Sequence, residues 1–363
     1  MNFDYSDDQK MLKDEARKFL DAKCPVKVVR GVLDDDARHY DEALWRGVAE
    51  QGWLGAAIPE QYGGLGLGHV ELCALAEELG RAVAPIPFAS TVYFVAEALL
   101  LLGSEEQKAT WLPKIASGEV IGAFATSEGP GPVTAGNIRT TVVDNRITGT
   151  KIPVTDGNIA NLLVVLAKDG LYLVEGPVES EVLTTLDPTR SAARLTFADN
   201  AAQRLGDEDG LSAMQQVFDR AAVLLAFEQL GGADRALEMA KAYALDRQAF
   251  GRQIAGYQAI KHKLADIYVK NEIARSNAYY GAWALNAGAA ELPLAAATAR
   301  VAASEAYWFA AKENIQTHGG IGFTWEADPQ LQYRRSRQLS LVAGAPSTWR
   351  ERLVTQLEQR NAA

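Results

Sequence analysis

The sequence predicts an α+β chain made of three unlike pieces in the order α, β, α. Residues 1–119 carry apolar positions at helical spacing, residues 120–206 change to short β-rich runs joined by hairpin turns, and residues 207–363 return to helical composition. The sequence holds no internal repeat and no low-complexity tract, so the pieces are distinct domains rather than turns of a solenoid.

In the first piece Ser6 and Gln9 form a capping-box signature, and Leu12, Ala16 and Phe19 then recur on one helix face. Gly52-Trp53-Leu54-Gly55 and Pro59-Glu60-Gln61-Tyr62-Gly63-Gly64 break the helical runs with a long loop. Residues 92–102 are the most apolar stretch. They are too few to span a bilayer and include Glu97, which predicts a buried helix. In the second piece, runs 139–143 and 146–149 flank Asp144-Asn145, and runs 161–167 and 171–175 flank Lys168-Asp169-Gly170, both hairpin arrangements. Gly206-Asp207-Glu208-Asp209-Gly210 reads as a linker, after which Ile260, Leu264 and Ile267 stand at helical spacing.

With 363 residues, 48% hydrophobic and 23% charged, the chain is able to bury two or three cores. Its 36 Lys and Arg against 46 Asp and Glu give a net charge of -10, which offers no attraction to nucleic acid or to an anionic membrane. Cys24, Cys73 and the four scattered His show no metal-ligand spacing, so neither a metal site nor a disulfide scaffold is expected. The start, Met1-Asn2-Phe3-Asp4-Tyr5, is acidic and precedes no apolar signal core, which reads as a mature N-terminus and a cytoplasmic location.

Gly63, Gly64, Gly66 and Gly68 lack dinucleotide-binding spacing and follow a Pro-Glu loop instead of a strand, so they read as a tightly turned loop. No Gly-x-Ser-x-Gly elbow is present and no His lies in a motif with a nucleophile, which removes a hydrolase triad. Two segments are more pointed. Asp246-Arg247-x-x-Phe250-Gly251 sets an Arg able to hold a phosphate beside a glycine that permits close approach; the wider cluster with Arg252, Lys261 and Lys263 otherwise reads as a solvated face. Gln316-Thr317-His318-Gly319-Gly320-Ile321-Gly322 offers backbone amides and little bulk, as a loop against a cofactor would, and equally as a tight turn would; His318 alone reads as a structural histidine.

Taken together and in order, these motifs resemble the acyl-CoA dehydrogenase family over nearly the whole chain. The first piece adds Glu77-Glu78-Leu79-Gly80, Gly103-Ser104-Glu105-Glu106-Gln107-Lys108 and Trp111-Leu112-Pro113 to the loop motifs above. The resemblance implies an N-terminal helical domain, a middle β-barrel or sandwich and a C-terminal four-helix bundle. It also implies FAD as cofactor, an acyl-CoA substrate and an electron-transferring flavoprotein as acceptor. Ala123-Phe124-Ala125-Thr126-Ser127-Glu128 looks like the segment that meets the flavin ring, which gives Phe124, Thr126 and Ser127 that role. The segment from Gly149 to Gly157 is similar to the signature in which an aromatic covers the flavin and a Thr bonds it; Thr155 fits, and Pro153 replaces the aromatic. Residues 243–251 with Arg247 and Phe250, then Tyr257 and Gln258, then Gln316, His318, Gly319 and Gly320, are similar to segments that hold the FAD pyrophosphate and adenosine across a subunit interface. A dimer or a tetramer, of one kind of chain or of two, is thereby implied.

In the family a carboxylate removes the α-proton of an acyl thioester while the β-hydrogen leaves as hydride to the flavin. Here the usual base position falls on Ala343, before Gly344, and the alternative position used by some members falls on Ala221. Ala345 and Ser347 replace polar residues that follow the base, and Glu128-Gly129-Pro130-Gly131-Pro132-Val133 lacks the serine of the phosphate loop. Glu228 lies seven residues beyond Ala221, on the same helical face but about 10 Å along the axis, and Asp219 lies about 200° round the helix. Each is a candidate base, with a surface or salt-bridge role as the alternative. Three functions stay open: a dehydrogenase with a displaced base, a non-catalytic or half-site subunit of a hetero-oligomer, and a flavin monooxygenase or oxidase on the same fold.

Overall fold

The computed structural model describes residues 5–362; residues 1–4, on which part of the N-terminal reading rests, lie outside them. Helices α1 (Asp7–Lys23), α2 (Val26–Leu33), α3 (Glu42–Glu50), α4 (His69–Arg81), α5 (Glu97–Leu102) and α6 (Glu105–Ala116) come first. Strands β1 (Gly122–Ala125), β2 (Thr141–Val143), β3 (Arg146–Thr155), β4 (Leu162–Leu166), β5 (Leu171–Glu175), β6 (Glu179–Val182), β7 (Ala192–Ala201) and β8 (Gln203–Leu205) follow. Helix α7 (Gly210–Asp246) leads through the short strands β9 (Gln248–Ala249) and β10 (Arg252–Gln253) to α8 (Gln258–Asn286), α9 (Leu292–His318), α10 (Pro329–Leu341) and α11 (Pro346–Ala362). The predicted order α, β, α is observed. In space the chain forms two compact units, one of Val28–Leu72 and Pro85–Ala221, the other of Met1–Lys27, Cys73–Ala84 and Ala222–Ala363.

The first of these units contains two four-stranded sheets, β1-β4-β5-β8 and β2-β3-β7-β6. β4 and β5 form the expected antiparallel hairpin around Lys168-Asp169-Gly170. β2 and β3 form the other, and Asp144 and Asn145 at its turn both take positive φ, 49° and 59°, as a two-residue turn matching strand twist requires. Ala123, Ala125, Leu163, Val165 and Val174 from one sheet share a single core with Ile147, Val154, Leu195 and Phe197 from the other, which is the packing of a sandwich.

The predicted buried helix over residues 92–102 is present, but its first part is a π-helix, Ala89–Ala96, that runs into α5. Its partner is β1. The Thr91 hydroxyl accepts the Gly122 N–H at 3.0 Å, and a Cβ on Gly122 would lie 2.8 Å from Val95. Wide-turn geometry fixed by a contact with a distant strand leaves no mark in apolar spacing.

Glu97, at the head of α5, is 1% exposed. Its carboxylate lies 2.9 Å from His69 Nε2 and accepts from Arg220 Nε at 2.6 Å. Burial pushes Glu97 up, but His69 and Arg220 outweigh it and hold the group at about 2. Because the folded value lies below the unfolded one, this ionisation stabilises the fold above the ordinary carboxylate range, and the contribution is lost as pH falls toward 2. Glu97→Gln should therefore cost about 3–5 kcal/mol at neutral pH, by stranding Arg220, and should flatten the acid limb of the stability profile. Urea titrations from pH 7 to 2 would check it; an unchanged acid limb would remove Glu97 from the account.

In the other unit α4 and α7 meet backbone to backbone. A Cβ on Gly80 would lie 1.8 Å from the Glu228 carbonyl, and one on Gly231 would lie 1.7 Å from the Glu77 carbonyl. Beside that seam Glu77 receives Lys13 at 2.6 Å and Arg275 at 2.7 Å, while Arg17 grips Glu78 with two bonds of 2.9 and 2.8 Å. Burial pushes Glu77 up, and Lys13 and Arg275 more than offset it, keeping it below the ordinary carboxylate range. On the far side of α7, Gly232 admits the Tyr307 ring of α9, where a Cβ would stand 2.3 Å from it. Gly231→Ala should destabilise by about 3 kcal/mol or more, since neither backbone can yield. Gly256→Ala, whose methyl would meet only the Arg252 side chain at 3.6 Å, should cost less than about 1 kcal/mol, and thermal unfolding of the two variants makes the comparison.

Among the described residues no helix is long and apolar enough to cross a membrane, and no group of His, Cys, Asp and Glu is placed to hold a metal ion. Cys24 and Cys73 are buried, and neither forms a disulfide among the described residues.

Candidate functional site

Strand β1 delivers the first set of expected contact residues. Phe124 is half-buried, with its ring centroid 5.9 Å from both Phe94 and Phe218. Just past β1 the chain runs beside β3: the Ile152 N–H donates to the Ser127 carbonyl at 2.8 Å, and Glu128 pairs with Ile152 in a parallel bridge. This brings Thr126 and Ser127 onto the same structure as Thr155 at the end of β3. The Ser127 hydroxyl is used locally, donating to the Gly129 carbonyl at 2.8 Å. The Thr126 and Thr155 hydroxyls, both half-buried, have no hydrogen-bond partner among the described residues. Two half-buried hydroxyls with no protein partner, in a unit that also presents the half-buried Phe124 ring, suit a polar-edged ring system.

The second set lies in the other unit. Gln248 and Ala249 pair with Gln253 and Arg252, so the predicted phosphate motif is a tight hairpin with Phe250 at φ 51° and Gly251 at φ 78° on its tip. Phe250 is 98% exposed and so is free to meet something outside its own unit. The Arg247 guanidinium is exposed and has no acid or carbonyl partner among the described residues. Tyr257 braces the hairpin: its hydroxyl donates to the Ala249 carbonyl at 2.9 Å, and the Arg252 guanidinium lies 4.0 Å above its ring. Gln258 then begins α8, exposed.

The end of α9 joins this set through a stack, the His318 ring lying 4.2 Å from that of Tyr243 on α7. His318 Nδ1 sits 2.8 Å from the Asn314 carbonyl, which can only accept, so Nδ1 carries the proton and Nε2 is left as an acceptor. Burial pulls its pKa below the ordinary histidine value. Gln316 is exposed, Gly319 takes φ 63°, and a Cβ on Gly319 or Gly320 would meet nothing within 4 Å. Open space above bare backbone is room for a ligand to approach the chain. Arg247, Phe250, Tyr257, Gln258, Gln316, His318, Gly319 and Gly320 thus fall in one unit, and Phe124, Thr126, Ser127 and Thr155 in the other.

Neither expected base position can accept a proton. Ala221 is completely buried on α7. Ala343 forms a turn after α10 with φ 61°, its carbonyl accepting from Trp349 Nε1 at 3.0 Å. The same turn is clamped from inside by Arg300, which donates to the carbonyls of Leu339 and Val342, the latter at 2.7 Å, and to Gln229 at 2.6 Å. Glu228 and Asp219 are 0% and 4% exposed, which corrects the surface alternative for both, because each points into packed protein. The Glu228 carboxylate lies 3.6 Å from the guanidinium of Arg335, itself fully buried.

Sequence reasoning passed over Lys151, whose side chain is wholly buried and whose ammonium bonds the Thr126 carbonyl at 3.1 Å. The available signal was phase: Lys151 falls on the inward side of β3 with Ile147, where a charge has to have a purpose.

Residues 6–119 match the acyl-CoA dehydrogenase N-terminal domain, and residues 208–357 match the acyl-CoA dehydrogenase C-terminal domain. The chain is similar to the acyl-CoA dehydrogenase IpdE2 of Mycobacterium tuberculosis, 35% identical over 97% of this chain and 98% of the relative. Among solved structures it resembles a variant of the Tcur3481-Tcur3483 steroid ACAD, with TM-score 0.89 and 31% identity, covering 98% of this chain and 99% of that one. It also resembles a chain of the ChsE4-ChsE5 complex of Mycobacterium tuberculosis, with TM-score 0.88 and 26% identity over 99% of each. The protein belongs to the acyl-CoA dehydrogenase family of flavoprotein oxidoreductases.

Proposed function

We propose that this chain is one subunit of a hetero-oligomeric, FAD-dependent acyl-CoA dehydrogenase, holding flavin while a second dehydrogenase-like chain supplies the carboxylate base. The carrying observation is alanine at both base positions, Ala221 and Ala343, with Glu228 committed to a buried ion pair with Arg335. A carboxylate that is 0% exposed and held against a buried guanidinium has no access to a substrate carbon. Two similar structures, the Tcur3481-Tcur3483 steroid ACAD and the ChsE4-ChsE5 complex, are each named for a pair of chains, which supports the two-chain reading.

The residues present fit FAD. When bound, FAD supplies the hydride acceptor for α,β-dehydrogenation of an acyl-CoA thioester. Thr126 and Thr155 offer half-buried hydroxyls with no partner in the chain, suited to the polar edge of the isoalloxazine, and Phe124 offers a flat apolar contact. Arg247 offers an unpaired guanidinium for the pyrophosphate, and Gly319 and Gly320 let it approach the backbone. An electron-transferring flavoprotein would serve as electron acceptor, and the cytoplasm is the proposed location. Loss of side-chain volume at Ala221 and Ala343 favours a bulky, ring-bearing acyl group.

The deciding experiment is anaerobic mixing of the flavin-loaded chain with a panel of acyl-CoA thioesters while flavin absorbance is followed. The chain alone should keep its colour, and bleaching should begin when a second, Glu-bearing dehydrogenase-like chain from the same organism is added. Bleaching by the chain alone would overturn the two-chain reading. Arg247→Ala should weaken FAD binding about 10- to 100-fold, the worth of one charge-assisted bond, measured by titrating the apoprotein with FAD.

A further inference from the structure

Lys151 and Glu128 form a buried ion pair that the chemistry above does not use. The Lys151 side chain is 0% exposed and that of Glu128 is 11% exposed, and their charged atoms lie 2.7 Å apart. Glu128 is saturated. Besides the ammonium, its carboxylate accepts the Arg139 N–H at 2.7 Å, the Thr140 N–H at 3.0 Å and the Thr140 hydroxyl at 2.7 Å. One carboxylate at the start of loop 129–138 therefore bonds the backbone at its end, and Lys151 neutralises it from below while also holding the Thr126 carbonyl at 3.1 Å. Burial pulls Lys151 below the ordinary lysine value and Glu128 pulls it back in part; burial pushes Glu128 up, and Lys151 and Thr140 more than offset it.

A buried ion pair adds little net stability compared with apolar residues of the same volume, whereas it fixes geometry wherever each bond has one direction. Here the bonds converge on the chain between Thr126 and Glu128. We infer that Lys151 is a positioning residue, which through the Thr126 carbonyl and the Glu128 carboxylate fixes the Thr126–Ser127 segment against β3 and closes the base of loop 129–138. The inference rests on the flavin-holding role proposed for Thr126. Gly149 serves the same closure: a Cβ there would lie 2.4 Å from the Thr140 hydroxyl oxygen that Glu128 engages.

The test compares the full-length chain with Lys151→Met and with the double variant Lys151→Met/Glu128→Gln, by thermal unfolding, amide hydrogen exchange and FAD titration. Lys151→Met should unfold earlier, exchange the Arg139, Thr140 and Ile152 amides about tenfold faster or more, and bind FAD about tenfold more weakly. The double variant removes the stranded carboxylate and should recover thermal stability, yet keep the weaker FAD binding because the Thr126 carbonyl still lacks its donor. It also keeps the test alive if the single variant does not fold. Recovery of both stability and FAD affinity in the double variant would reduce Lys151 to a structural role and overturn the inference, as would unchanged exchange at those amides in Lys151→Met. A wild-type chain that takes up no FAD would instead overturn the flavin reading itself, and the exchange rates would still decide the loop closure.

Discussion

The contact on which one whole unit depends is the approach of α4 to α7 through Gly80 and Gly231. With no Cβ at either position the two backbones come within van der Waals distance, and the peptide carbonyls of Glu77 and Glu228 occupy the space a methyl would take. Such an approach leaves the neighbouring carboxylates no water, so cations have to come to them. Lys13 and Arg17 reach in from α1 and Arg275 from α8 to Glu77 and Glu78, and Arg335 reaches from α10 toward Glu228. The helices that pack around this seam are thus selected by charge as well as by apolar fit.

Three of the buried or half-buried acids share one arrangement, a carboxylate with a cation against it. Glu97 has His69 and Arg220, Glu128 has Lys151 and two backbone N–H groups, and Glu77 has Lys13 and Arg275. A catalytic base needs the reverse, a carboxylate with access to a substrate and a protonation state free to change. Each of these three acids is tied to a cation, and the Glu228 carboxylate is fully buried 3.6 Å from the Arg335 guanidinium, out of reach of a substrate. The Ala343 turn, by contrast, is built with care although it carries no acid: Arg300 and Trp349 hold its carbonyls from two sides. The geometry of this turn is thus fixed by its own packing.

Much of the fold was legible because local rules and tertiary context agree. The Ser6–Gln9 capping box, the Asp144-Asn145 turn and the β4–β5 hairpin form where turn and cap chemistry predicts them. The family was legible from the order of many weak motifs, and those motifs are largely glycines and charges whose purpose is packing: Gly80 closes the gap to α7, and Glu77 and Glu78 anchor α1 and α8. What stayed hidden shares one cause, a partner far away in sequence. The π-helix answers to Gly122, the ion pair of Glu228 to Arg335, and the pair of Lys151 to Glu128.

By itself, then, the sequence determined the α, β, α order, the turns and the family, since these are matters of residue type, spacing and local backbone preference. Only the tertiary structure decided which remaining acids are spent. A carboxylate reads the same in a sequence whether it faces water, a substrate or a buried guanidinium, and the energy that separates those fates comes from desolvation and from partners that folding alone brings within reach.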